Sequence, residues 1–182
     1  MVAFCLEGGS MKEAQKAQIL KEAQEVFFEA MLDGYCGERK HSTKTSTPDG
    51  RKVITFVKGD FTVIDEYRVT PHSDKSAGTT SILFKGDLVW WMSYGGHYLK
   101  YTIPLLKAIM KANYERGVFN GGRGPENVRC KDVNLMNVVY DATEYTNVGT
   151  GDFSLFKGRE EIFDLTFSRS LGFHIYFGMS ML

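Results

Sequence analysis

Apolar residues recur at three- and four-residue spacing along Ile19, Ala23, Val26, Phe27, Ala30 and Met31, with Lys, Glu and Gln between them. That period predicts an amphipathic helix over about 11–33, with Ser10 and Glu13 as a capping box and Gly34 as its stop. Residues 35–50 lack any period and contain Pro48–Asp49–Gly50, so they read as an exposed loop ending in a turn. The pattern then changes to alternation. Val53–Val57 is apolar and β-branched, and Phe61–Val69 places Phe61, Val63, Asp65 and Tyr67 on one face of a strand. Thr79–Phe84 and Leu88–Tyr94 flank Lys85–Gly86–Asp87 as a hairpin, with Gly95–Gly96 ending the second strand. A second helix is expected over about 103–116, with Pro104 in its first turn, where a missing N–H costs nothing. Asn120–Gly121–Gly122–Arg123–Gly124–Pro125 reads as irregular. Strands are expected near 138–145, 153–156, 161–166 and 173–177.

The same elements come twice in the same order. Phe27–Leu32 matches Leu105–Met110 at an offset of 78, and Glu66–Tyr67 matches Glu144–Tyr145 at that offset. Gly78–Leu83 matches Gly158–Phe163 at 80, and Tyr94–Gly95 matches Phe177–Gly178 at 83. A slow drift of this kind is what small loop insertions produce. The expected fold class is therefore α+β: two repeated helix-then-antiparallel-strands units, about 19–96 and 97–178, related by a pseudo-two-fold, with helices packed on a mostly antiparallel sheet. No linker composition separates the halves, so residues 11–182 are expected to form one domain. Residues 1–10, with Gly8–Gly9–Ser10 before Met11, read as a disordered extension or tag remnant.

Composition narrows the function classes. The chain has 182 residues, 43% hydrophobic and 13% aromatic, enough to bury a core that offsets chain ordering. Its 22 basic and 22 acidic residues give no basic excess for nucleic acid. Cys5, Cys36 and Cys130 are odd in number and unpaired in spacing, which supports neither a disulfide framework nor a zinc site and favours a cytoplasmic location. No apolar run reaches the roughly 20 residues of a spanning helix, and the first nine residues lack the pattern of a signal peptide. Neither a cofactor nor a metal ligand set is expected. His41, His72, His97 and His174 have no metal-ligand spacing, and Cys36 reads as exposed and modifiable without being catalytic.

Three constellations could carry function. If the pseudo-axis lies near their strands, Glu66 and Glu144 approach one another, with Tyr67 and Tyr145 beside them. Two close carboxylates would split their pKa values as an acid/base pair; the plainer reading is two wet strand positions. Trp90, Trp91, Tyr94 and His97 gather at one strand end. Adjacent tryptophans face opposite sides, so one is expected in the core and the other in a ligand pocket or partner surface. Arg123 sits in a glycine-rich turn without the Gly-Lys-Ser/Thr of a phosphate loop, yet a rigidly held arginine can bind a carboxylate or phosphate.

Val57–Tyr67, Trp91–Gly96 and Arg123–Glu126 resemble an uncharacterised bacterial domain family with a Gly-Asp…Tyr-x-Asp-x-Tyr strand, a Trp-x-Met-Asn-Tyr-x-Gly strand and an Arg-Gly-Pro loop. The resemblance spans about 27–178, with Val63 at the first Tyr and Ser93 at the usual Asn. It implies a domain of unknown function, found alone or behind an Xre-like helix-turn-helix, and transfers no catalytic residue. The expected function is thus a cytoplasmic, sensor-like domain binding a small molecule or protein partner. Its candidate ligand residues are Tyr67, Trp90, Trp91, Tyr94, His97, Arg123 and Tyr145. The alternatives are a small hydrolase-like enzyme using Glu66 and Glu144, and a structural dimerisation module. No membrane and no nucleic-acid partner is expected; a homodimer is possible.

Overall fold

A computed structural model describes residues 11–37 and 39–182. The expected extension at 1–10, and with it the Ser10 cap, lies outside the described residues. Helix α1 spans Glu13–Ala30, with Lys12 at its N-cap making no side-chain capping bond. It continues into a π-turn over Met31–Tyr35, closed by the Cys36 N–H donating to the Met31 carbonyl at 3.0 Å. Gly34 is therefore not a stop. It lies inside the turn, where an added Cβ would stand 2.9 Å from Ile54 Cγ2, so glycine permits the close approach.

The strands are β1 (Thr43–Ser46), β2 (Lys52–Lys58), β3 (Phe61–Val69), β4 (Lys75–Phe84) and β5 (Asp87–Tyr98). Helix α2 (Ile103–Glu115) follows, then β6 (Asn127–Cys130), β7 (Val133–Leu135), β8 (Val138–Tyr140), β9 (Thr143–Asp152), β10 (Leu155–Asp164) and β11 (Arg169–Ser180). Nine strands form one sheet in the order β1-β2-β3-β4-β5-β11-β10-β9-β6, all neighbours antiparallel, while β7 and β8 form a separate hairpin. The α+β class with two helices on one face of an antiparallel sheet is as expected. Several boundaries moved, and β6 had no counterpart in the sequence reading. The segment read as a loop at 35–50 contributes β1 to the sheet edge. The strand expected at 138–145 breaks at Asp141–Ala142, where Ala142 has φ 48. The pieces expected at 153–156 and 161–166 belong to one hairpin, whose turn Phe153–Ser154 is held by Ser154 N–H donating to Asp152 Oδ1 at 2.8 Å.

The core is the layer between the helices and the inward face of the sheet. Phe27 of α1 meets Trp90 of β5, Tyr114 of α2 and Phe153 at centroid distances of 5.3, 6.0 and 5.8 Å. Trp90 stacks on Phe153 at 4.6 Å and donates its indole N–H to the Phe153 carbonyl at 2.8 Å. Among the described residues, no helix is long and apolar enough to cross a membrane.

Outward from the central β5–β11 pair, β4, β3 and β2 follow on one side and β10, β9 and β6 on the other. Tyr94 and Tyr176 are directly paired across that centre. Each lies over a glycine of the next strand, Gly78 and Gly158, where a Cβ would collide with the tyrosine hydroxyl. Each hydroxyl then donates one strand further, to Asp65 and to Asn147. Both halves also shift register at an isoleucine, Ile82 and Ile162. Aligned on the Tyr94–Gly78 and Tyr176–Gly158 pairs, Glu66 takes the place of Val148 and Glu144 that of Thr62, so the two Glu-Tyr pairs are not structurally equivalent.

Trp90 is fully buried, whereas Trp91 is half-buried on the uncovered face, edge-on to Phe177 at 6.3 Å. Trp90→Ala should cost about 3–5 kcal/mol and Trp91→Ala about 1 kcal/mol in urea unfolding. Equal losses at the two positions would contradict this division of faces.

Candidate functional site

Four inward-facing strand positions set the floor of a cavity of about 610 Å³: Asp65 on β3, Tyr94 and Tyr98 on β5, and His174 on β11. Period-two alternation puts Trp90, Met92, Tyr94 and Tyr98 on one face, and pairing of His174 with Gly96 carries that face into β11. Tyr35 of the π-turn and Ile103, Leu106 and Lys107 of α2 form the opposite wall. Asp33 fixes the turn. Its carboxylate accepts the N–H groups of Lys40, His41 and Ser42 and the Ser42 hydroxyl, and these bonds outweigh desolvation to lower its pKa.

Arg123 reaches the cavity from the strap 120–125, which is packed rather than exposed. Gly122 lies against the Tyr176 ring and Gly124 against the Tyr145 hydroxyl, too close for any Cβ. Asn120 Nδ2 and Asn147 Nδ2 donate to the Gly124 carbonyl at 3.3 and 3.0 Å, and Asn113 Nδ2 donates to the Val118 carbonyl at 3.3 Å. The glycines thus let a polar strap lie on the sheet and aim a buried arginine.

The Arg123 guanidinium lies between the rings of Tyr35 and Tyr94, 5.2 and 5.0 Å from their centroids. Nη1 is 3.4 Å from Glu160 Oε1 and 2.8 Å from His174 Nδ1. An arginine can only donate, so Nδ1 accepts and the imidazole proton resides on Nε2, directed to Ser76 Oγ at 3.2 Å. Burial and then the neighbouring Arg123 charge push the His174 pKa down to about 3, so the ring is neutral at pH 7. Burial raises Glu160, against the opposing pull of Arg123 and of the Tyr145 hydroxyl, which donates to Oε2 at 3.0 Å. Tyr98 Oη and Glu160 Oε1 are buried, and the Tyr98 hydroxyl lies within hydrogen-bonding reach of the Glu160 carboxylate, an interaction that lowers the carboxyl pKa and raises that of the phenol. Asp65 is raised by burial, opposed by hydroxyl donors from Tyr94 and Thr80, each at 2.9 Å.

Of the residues singled out in the sequence, Tyr67, Tyr94 and Arg123 line this cavity. Tyr145 lies beneath it as a fully buried donor to Glu160, and Trp90 belongs to the core. Trp91 and His97 point to the other face, His97 packing on Phe173 at 4.9 Å. Glu66 and Glu144 do not meet. Four strands separate β3 from β9, roughly 24 Å at about 4.8 Å per step. Each pairs with its own arginine, Arg51 at 3.2 Å and Arg129 at 2.9 Å. Glu144 is lowered by its bonds to Asn127 and Arg129, opposite to the expected raised partner of a carboxylate pair. Cys36 is half-buried rather than exposed, and burial pushes its thiol up to about 12. Among the described residues, no group of three or more His, Cys, Asp or Glu is arranged to hold a metal ion.

Asp65, Tyr98, Glu160, His174 and Tyr35 were missed. Asp65 left a trace as a carboxylate in phase with Phe61 and Val63, and Glu160 likewise with Phe156 and Ile162. Tyr98 was lost because Gly95–Gly96 read as a strand end. Gly96 instead keeps β5 in the sheet, since any Cβ there would strike the Phe173 carbonyl of β11. The chain matches no protein-family model, and neither the curated proteins nor the solved structures contain a significant match to it.

His174 gives the site a pH signature. Its folded pKa lies below the ordinary value, so the unfolded chain binds the extra proton between about pH 6.5 and 3, and its contribution to stability is lost as pH falls through that window. The His174 ring resonances should stay constant from pH 8 to 5 in NMR titration, and His174→Gln should flatten the acid limb of the stability profile. A midpoint near 6.5 would contradict the neutral assignment. Glu66→Gln and Glu144→Gln should each leave the unfolding midpoint close to that of the wild type in the same assay.

Proposed function

We propose that this chain is a cytoplasmic, sensor-like domain that binds a small molecule in the helix–sheet cavity, without catalysis. One observation carries the reading: the cavity of about 610 Å³ ends on a buried arginine held between two tyrosine rings, with the Tyr98 hydroxyl beside it facing Glu160. Natural ligand pockets commonly have this volume and this combination of apolar walls with a few placed polar groups. Ile54, Ile103 and Leu106 with the tyrosine rings supply the apolar part. Among the described residues, Cys36 and Cys130 are free thiols, which suits a reducing compartment. We further read the halves as copies of one helix-then-strands unit, supported by the mirrored strand order, the Tyr-over-Gly pairs and the matched register shifts.

Native mass spectrometry of freshly purified protein should show a mass excess that disappears on denaturation. Ile103→Trp, which places an indole in the cavity, should abolish the excess while leaving the circular dichroism spectrum unchanged. A wild-type mass without adduct, together with no thermal shift from a panel of small organic molecules, would overturn the proposal.

A further inference from the structure

Charge around the cavity is strongly one-sided, although the chain as a whole has equal numbers of basic and acidic residues. Arg39, Lys44, Lys75, Lys100, Lys107 and Arg123 line it, against Asp65 and Asp74. The flexible cations are at its mouth: Arg39, Lys44, Lys75 and Lys100 are exposed, and Lys107 is half-buried over the Tyr35 ring at 5.5 Å. Lys44 is held inward by a hydrogen bond to the Tyr67 hydroxyl at 2.8 Å.

The floor has the same bias. The Arg123 side chain bonds His174 through Nη1 and engages the Tyr35 hydroxyl, and its guanidinium lines the cavity. The Tyr98 hydroxyl lines the same floor beside the Glu160 carboxylate, from which an incoming anion can draw its proton donor. The buried carboxylates are already engaged, and Asp74 is exposed at the rim. Glu160 faces Nη1, and Asp65 Oδ1 accepts both the Thr80 and the Tyr94 hydroxyls. His174 spends its Nδ1 on Arg123 and its Nε2 proton on Ser76.

Resting on the reading of this cavity as a ligand site, we propose that its ligand is an organic anion with an apolar body. A carboxylate, sulfonate or phosphate head meets the Arg123 guanidinium and the Tyr98 hydroxyl, and the body lies between Ile54, Ile103, Leu106 and the tyrosine rings. The rim cations draw the anion in, in proportion to the unscreened field, so the interaction weakens with salt. The tyrosine sandwich keeps the guanidinium plane fixed before the ligand arrives, which lowers the ordering cost of binding.

Two fluorescent probes with the same ring skeleton test this: 8-anilinonaphthalene-1-sulfonate and the uncharged N-phenyl-1-naphthylamine. The wild type should bind the sulfonate roughly tenfold tighter, the scale of one charge-assisted hydrogen bond, and raised potassium chloride should weaken only the sulfonate. The double variant Lys44→Gln/Lys100→Gln, both at exposed rim positions, should lose most of the preference while keeping the neutral probe. Tyr98→Phe should weaken the sulfonate alone. Displacement by 2-naphthoate or by decanoate, but not by 2-naphthalenemethanol, supports the anionic head; the better competitor shows whether the body is ring or chain. Equal affinity for both probes, with Ile103→Trp abolishing both, would overturn the anion and leave the cavity as a ligand site. Binding of both probes unaffected by Ile103→Trp would place them elsewhere and overturn the cavity reading as well.

Discussion

Arg123 carries a full positive charge into the protein, with only 5% of its surface exposed. Moving such a charge out of water costs several kcal/mol even after the surroundings relax, at about the level seen for buried ion pairs. Glu160 returns most of that through opposite charge, His174 by accepting a hydrogen bond as a neutral ring, and Tyr35 and Tyr94 through their negative ring faces. These four groups come from β10, β11, the π-turn and β5. The pair therefore links both halves of the sheet to the end of α1, and the cavity is bounded by the groups that shelter it.

The tyrosine-over-glycine device explains why the interior can be polar at all. A tyrosine lying flat across the neighbouring strand needs a residue without a side chain beneath it, and Gly78 and Gly158 provide that space. The hydroxyls then reach Asp65 and Asn147, which occupy corresponding register positions. The outcomes differ. Over Asn147 the strap 120–125 fills the space and takes the amide hydrogens on its own carbonyls. Over Asp65 there is no such strap, and the space is the cavity. One side of the sheet is closed by the chain itself and the other is left for a ligand.

The function reading follows from that asymmetry rather than from any motif. Glu66 and Glu144 look equivalent as a dipeptide match, but each ends in an exposed or half-exposed pair with an arginine. Pairs of that kind contribute about 0–1 kcal/mol and imply no chemistry. The residues that do converge are buried and are spread across the whole length of the chain.

Periodicity alone determined the two helices and the strands β2 to β5 with their hairpin turns, because side-chain direction alternates with period two in strands and repeats near 3.6 in helices. By contrast, β1 and β6 left no such period, and β8 to β10 divide at other places. It also placed Trp90 and Trp91 on opposite faces, and it put Asp65 in phase with the core. Only the tertiary structure decided which strands meet at the centre. The β5–β11 pairing joins segments far apart in sequence, and no local pattern encodes it. That pairing set the register, removed Glu66 and Glu144 from one another, and carried β5 through Gly95–Gly96 to Tyr98. The π-turn that presents Tyr35 and the strap that presents Arg123 are likewise products of packing, because their glycines are required by what approaches them from elsewhere in the fold.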